Sequence, residues 1–244
     1  DLIPPELCAA CPTTLAKQYY SVLMKLVVHG QESLSHKGGI LVPAYKGKGL
    51  TTDPTSYRSL LISSHMGKVL HRTVRQHQAQ LYETFLCAQQ LGGRRKVPVT
   101  LGLHEARAYL RSHQIKGMSV ALLMVDLTEA FYRVLRPLAV GGQYTDQQLA
   151  QIVQKLAMPP ETLHELHAHL QQPCAIAQAH LPPHLQRVLQ SLHTDTYFQV
   201  HGQDDCCHTS VGSRPGDCFA DVIFSYLFAR VIKCFQQRMS HEGQ

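Results

Sequence analysis

Apolar and polar positions along the chain follow three patterns. The first is helical. Over Pro12–His29, Leu15, Tyr19, Val22, Leu23, Leu26 and Val27 fall on one face, and Gly30 follows as a stop signal. The same period predicts helices over Ser64–Gln90 and Thr100–His113. It returns at Leu149, Ile152, Val153 and Leu156, behind a Thr145-x-x-Gln148 capping box. Proline pairs introduce two more helices, at Pro160–Gln171 and Pro183–His193. A last long amphipathic helix is expected to bury Phe219, Ile223, Tyr226, Leu227, Ile232 and Phe235. The second pattern is the short strand bounded by turn residues. Ile40–Val42 and SYRSLLIS (56–63) form one predicted hairpin, and Thr196–Gly202 turns through GQDD toward CCHTSVG to form another. The third is a continuous apolar run, Val120–Val125, the pattern of a strand buried on both faces. Together these place short strands among longer helices.

Composition narrows the class. At 244 residues the chain can bury a large core, and no window is long and apolar enough to cross a bilayer. The start, DLIPPELCAACPTT, lacks the basic and apolar regions of a secretory signal, so the expected setting is intracellular, nucleus or cytoplasm, and not secreted. The chain lacks an initial Met and ends in SHEGQ just after a helical pattern, so it reads as a piece of a longer protein. Eight cysteines lack framework spacing and read as reduced thiols. Cys8-x-x-Cys11 and Cys206-Cys207-His208 each offer half a zinc site, but no second well-spaced pair completes a tetrahedron. His164, His167 and His169 read as a solvated helix face.

Charge is uneven. Residues 1–118 hold fifteen Lys and Arg against six Asp and Glu, whereas residues 119–244 hold eight against eleven. A basic front half fits an anionic partner, and an acidic back half can supply carboxylates to cations. The front half places Lys46 and Lys48 in the loop of the first hairpin and Arg58 near the start of its second strand. Such a hairpin can close on phosphates, lysine as a point charge and arginine as a bidentate donor. Lys68, Arg72 and Arg75 are interleaved among apolar helical positions, and Gly92-Gly93 leads into Arg94, Arg95 and Lys96. That loop suits phosphodiester contacts, which position a nucleic acid without reading its sequence. The central run ends at Asp126, with Phe131 five residues on. A carboxylate at the mouth of a buried strand can hold a hard cation, or it can cap the next helix.

Four stretches, in order and at matching distances, resemble a reverse transcriptase, most closely the non-LTR (LINE-type) retrotransposon group. LVPAYKGKG…DPTSYRSLLISSHMGKVLHR (41–72) is similar to that family's fingers segment, and QQLGGRRKVPVT (89–100) to its "Gln-x-Gly-Phe-Arg" segment. SVALLMVDLTEAFYRV (119–134) resembles "Asp-x-x-x-Ala-Phe-Asp-x-Val". GSRPGDCFADVIF (212–224) aligns without a gap on "Gly-Val-x-Gln-Gly-Asp-Pro-Leu-Ser-Pro-x-Leu-Phe". Residues 1–36 resemble the family's helical lead-in.

The resemblance implies an α+β fold, a polymerase right hand without its thumb in which a small antiparallel sheet is backed by helices: lead-in 1–36, fingers 37–117, and partial palm 118–244 with a helical insertion at about 145–193. It implies RNA-directed DNA polymerisation on an RNA template and DNA primer with deoxynucleoside triphosphates. Two Mg²⁺ ions about 3.5–4 Å apart would activate the primer hydroxyl and stabilise the leaving pyrophosphate. Asp126 and the Leu127 carbonyl would hold metal, Lys46, Lys48 and Arg58 would grip the triphosphate, Phe131 would exclude a ribose 2′-hydroxyl, and Pro215 and Gly216 would line the nucleotide. Lys68, Arg72, Arg94, Arg95 and Lys96 would contact nucleic acid.

The chain departs from the family in several places. Pro215 replaces Gln, Ser59 replaces Pro, Tyr132 replaces the second Asp, and Ala220-Asp221 replaces Ser-Pro. The family's "Tyr/Phe-x-Asp-Asp" does not occur before Gln244, and Asp204-Asp205 lies upstream of Gly216, in the wrong place. The two-metal site is therefore incomplete, and the chain alone is expected to be inactive. The alternative is a repurposed relative that binds RNA without catalysis.

Overall fold

Local signals at the N-terminus act as the pattern predicts. A computed structural model of the chain describes residues 4–156 and 159–242. Helix α1 (Pro5–Ala10) leads into α2 (Pro12–Met24), which continues as a π-helical turn over Lys25–His29 and stops at Gly30, in the left-handed region at φ 66°. A 3₁₀ turn (Leu34–His36) then feeds strand β1 (Gly39–Tyr45), which folds back as β2 (Tyr57–Ser63). The two pair antiparallel from Gly39↔Ser63 to Tyr45↔Tyr57.

Helices fill the middle of the chain. These are α3 (His65–Phe85), α4 (Val99–Ile115), α5 (Arg136–Val140), α6 (Asp146–Leu156), α7 (Pro160–Leu170), α8 (Ala175–Gln178) and α9 (Pro183–Leu192). The capping box forms in both directions: Thr145 N donates to Gln148 Oε1 at 3.0 Å, and Gln148 N to Thr145 Oγ1 at 3.3 Å. Strands β3 (Thr196–Val200) and β4 (Cys206–Thr209) form the second hairpin, and α10 (Ala220–Glu242) closes the described chain.

The two hairpins make one sheet, in the order β2-β1-β3-β4. Between them β1 and β3 run parallel, with Ile40 opposite Gln199 and Leu41 opposite Val200. The sheet is therefore mixed rather than antiparallel, and the fold is α+β. Pro43 fits this arrangement. Lys46 N bonds Ser56 O at 2.8 Å, so the even-numbered amides of β1 face β2; position 43 faces the other side, where pairing with β3 has ended at Leu41.

The core is helical. Tyr82, Val134, Ile176, Leu189, Leu192, Phe219, Ile223 and Tyr226 pack one cluster between α3, α5, α8, α9 and α10, and Leu26, Leu70 and Val188 form a smaller one beside it. Phe235, expected on the buried face of α10, is 62 % exposed because the last turns of that helix run past the core.

The largest correction concerns Val120–Val125. Residues 118–127 adopt no regular secondary structure, and Leu123, Met124 and Val125 are 73–86 % exposed. An apolar run becomes a buried strand only if other strands pair with it, and β1–β4 complete their sheet without it. Among the described residues, no helix is long and apolar enough to cross a membrane.

Candidate nucleotide cleft and nucleic-acid interface

Phe131 and Tyr132 sit in a 3₁₀ turn (Ala130–Tyr132) that is strapped to the loop before α10. Ser213 N donates to Phe131 O at 2.7 Å, and Gly212 N to Val134 O at 2.8 Å. The Phe131 ring packs on Phe224 at 5.2 Å between centroids, and the Tyr132 hydroxyl donates to the Ser59 carbonyl of β2. Gly216 has φ +106°, and a Cβ there would overlap the Leu61 carbonyl oxygen. Three segments far apart in sequence thus meet: β2, the 130–132 turn and the 212–216 loop. Between them lies a cleft of about 190 Å³ whose lining includes Lys37, Ser59, Leu61, Tyr132, Arg214 and Pro215.

Gly216 is tied to this junction on two counts, its backbone angle and its contact with β2. Gly216→Ala should cost about 2–4 kcal/mol, from strain at positive φ plus steric overlap. Denaturant unfolding measures it, and a loss under 1 kcal/mol would mean that the loop and β2 do not touch as described.

The hairpin cations stand apart from this cleft. Along β2, Ser59 and Leu61 line the cleft, whereas Arg58, Leu60 and Ile62 alternate onto the exposed face. Arg58 is therefore on the other side of the sheet from Phe131 and Gly216. Lys46 Nζ closes its own loop on Thr55 O at 2.8 Å, and Lys48 is exposed in the same loop.

Asp126 and Leu127 are exposed, and Asp126 has no hydrogen bond or ion pair among the described residues. It caps no helix either: the 130–132 turn is preceded by Glu129 in the left-handed region, without a side-chain cap. The described residues contain no group of three or more His, Cys, Asp or Glu able to hold a metal ion. Magnesium needs a near-octahedral oxygen shell, and one carboxylate beside one carbonyl does not supply two such shells. The residues present do not fit a two-metal site.

Three of the five cations predicted to touch nucleic acid come together. Arg72, Arg94 and Arg95 line one groove of about 520 Å³ between α3, the 92–96 loop and the start of α10, and Arg75 joins them. Arg75 is fixed by a bidentate pair to Asp221, at 2.7 and 2.8 Å, and by a hydrogen bond to Cys218 O. Lys68 lies one turn before Arg72 on α3, and Lys96 follows Arg95 at the exposed end of the loop, with φ 63°. Neither lines the groove.

A buried ionic network reaches the cleft through Arg214 and was not legible as one in the sequence. His71 is 1 % exposed, with its Nδ1 2.9 Å from Asp217 and its Nε2 2.9 Å from Glu32. Glu32 also meets His36 Nδ1 at 2.7 Å, and Arg214 lies 3.7 Å from Asp217 while donating to the His36 and Leu192 carbonyls. Burial disfavours charge on Glu32, His71 and Asp217, but the pairing outweighs it, whereas on Arg214 burial wins and lowers its pKa. The Glu32 carboxyl is held down at about 2 and the His71 imidazolium is held up to about 9, while Asp217 lies far below the usual carboxylate range. A second buried cation, Arg136, bonds only neutral acceptors, and burial lowers it to about 10. Beside it, burial and the neighbouring Arg136 and Arg214 keep His193 neutral, at about 3. The available signal was a polar residue on an apolar stripe: His71 and Gln78 share the buried side of α3 with Met66, Leu70 and Tyr82.

No family model matches this chain, and a comparison with curated proteins finds no match.

Proposed function

We propose that this chain is the fingers and partial palm of an RNA-directed DNA polymerase of the non-LTR retrotransposon type. In this reading it holds an RNA template, a DNA primer and the incoming deoxynucleotide. The observation that carries the reading is the junction of Phe131 and Tyr132 with β2 and the Gly212–Gly216 loop. A nucleotide site can use an aromatic wall beside a close backbone approach, and here Tyr132 lines the cleft while Gly216 brings its backbone against Leu61 of β2. Asp126 alone does not assemble a two-metal centre, so the chain's own part is binding and positioning.

A second reading, an RNA-binding relative without catalysis, is favoured by Pro215, which lacks an amide, and by Tyr132, whose hydroxyl is taken up by Ser59. A binding experiment separates the two. Under the polymerase reading, an RNA template annealed to a DNA primer binds, and the matching deoxynucleotide tightens the complex several-fold over the ribonucleotide. Phe131→Ala should erase that sugar preference. RNA binding that ignores every nucleotide supports the second reading, and no affinity for either strand overturns both.

A further inference from the structure

The arginine groove holds more than surface charge. Its lining includes Gln78, which is 1 % exposed; the Gln78 Oε1 faces the Tyr226 hydroxyl at 3.4 Å, and its Nε2 donor has no acceptor among the described residues. A buried amide N–H without a partner is costly, and natural folds tend to leave one where a ligand or water completes it. Arg94 sits in the same wall. Its Nη2 donates to the Glu83 and Leu86 carbonyls at 3.3 and 3.4 Å, and its buried Nε makes no hydrogen bond among the described residues, the Glu83 carboxylate lying 3.6 Å away. Arg75 is held rigid by Asp221 and the Cys218 carbonyl. Arg72 and Arg95 stand at the rim, without an ion-pair partner among the described residues. Among the described residues, Glu83 is the one carboxylate lining the groove, and it is taken up by Arg94 at 3.6 Å and the Arg95 amide at 3.3 Å.

The unsatisfied groups here can all donate, and the fixed charge is positive. The ligand must therefore bring several acceptor oxygens and negative charge. From this geometry we infer that the groove is a phosphate-binding site, with the Gln78 amide and Arg94 on its inner wall and Arg72 and Arg95 closing over the phosphate from the rim. Guanidinium groups match phosphate oxygens with charge-assisted, often paired hydrogen bonds. At about 520 Å³ the groove is larger than one phosphate needs, so the group is carried by a nucleotide or by a nucleic-acid strand. The site uses neither Asp126 nor Phe131, so it stands or falls separately from the polymerase reading.

The test is titration of the whole chain with inorganic phosphate, a mononucleotide, and oligothymidylate with and without a 5′-phosphate. Arg72→Ser and Arg95→Ser, at rim positions, should each weaken binding of these ligands about tenfold. The double variant should also flatten the salt dependence of oligonucleotide binding, by roughly 0.7 for each phosphate that is no longer neutralised. Gln78→Met, which keeps volume and removes the donor, should weaken phosphate without changing the salt slope. A gain on adding the 5′-phosphate assigns the site to terminal phosphates, and equal binding with and without it assigns the site to the strand backbone. Unchanged affinity and slope in Arg72→Ser/Arg95→Ser would overturn the inference, even if Gln78→Met failed to fold.

Discussion

His71→Leu should lower the stability of the fold by about 3–5 kcal/mol, because it leaves two buried carboxylates without their shared cation. Glu32 and Asp217 each face one ring nitrogen at 2.9 Å, and His36 and Arg214 do not replace that partner. The loss belongs to the stranded charges rather than to lost packing. A His71→Leu/Glu32→Gln variant, which removes one stranded carboxylate and leaves Asp217 beside Arg214, should recover part of it. The wild-type pH profile follows from the same groups. Glu32 is held well below its ordinary value of 4.5, so its stabilisation is present above pH 4.5 and is lost as pH falls toward about 2. His71 is raised from 6.5 to about 9, so its contribution is complete below pH 6.5 and is lost as pH rises through about 9. Burial holds His193 neutral, at about 3 against an ordinary 6.5, so its contribution is lost as pH falls below 6.5. Denaturant midpoints should therefore peak near pH 6.5 and fall on both sides. His71→Leu should remove the alkaline fall. If that fall persists unchanged in the variant, His71 is not the group responsible.

Features written in neighbouring residues were legible in the sequence, and features written across the chain were not. Gly30 ended the first helical run, the Thr145–Gln148 box opened α6, and the proline pairs opened α7 and α9, each through a local backbone requirement. Both hairpins were legible for the same reason. Their parallel junction through Ile40 and Leu41 was not, because nothing in either strand specifies its neighbour across the whole helical middle of the chain. Val120–Val125 shows the converse. Its composition is right for a buried strand, but strand formation depends on partners, and the described strands pair without it. At the candidate sites, Arg72, Arg94 and Arg95 stood out because positive charge is conspicuous, and the structure gathers them in one groove. Arg58 was expected to grip a triphosphate, but the two-residue period of β2 turns it to the face opposite the cleft. Glu32, His71 and Asp217 looked like three unrelated polar residues, since only the fold brings the His71 ring within 2.9 Å of both carboxylates.

Arg136→Leu should cost about 3–5 kcal/mol and should also loosen the cleft. The Arg136 guanidinium works as a staple across backbone segments. Its Nε donates to Gly212 O at 2.9 Å, its Nη1 to His193 O and Thr209 O at 2.9 Å and to Thr196 Oγ1 at 2.7 Å, and its Nη2 to Val211 O at 2.9 Å. The end of α9, the β3–β4 hairpin and the loop before α10 are thereby fixed to one side chain. Leucine would fill part of the volume and leave the His193, Val211 and Gly212 carbonyls buried without donors, each a desolvation cost of about 1–3 kcal/mol. Lysine would keep the charge but cannot span acceptors on three sides from a single ammonium, so Arg136→Lys should recover only part of the loss. The functional consequence runs through the next peptide bonds. Gly212 N and Ser213 N hold Val134 and Phe131, so freeing the Gly212 carbonyl should speed hydrogen exchange at those two amides beyond the global change in stability. Amides at 212 and 213 that exchange no faster than the α10 core after Arg136→Leu would show that the aromatic wall is held by packing on Phe224, and that the staple serves the sheet alone.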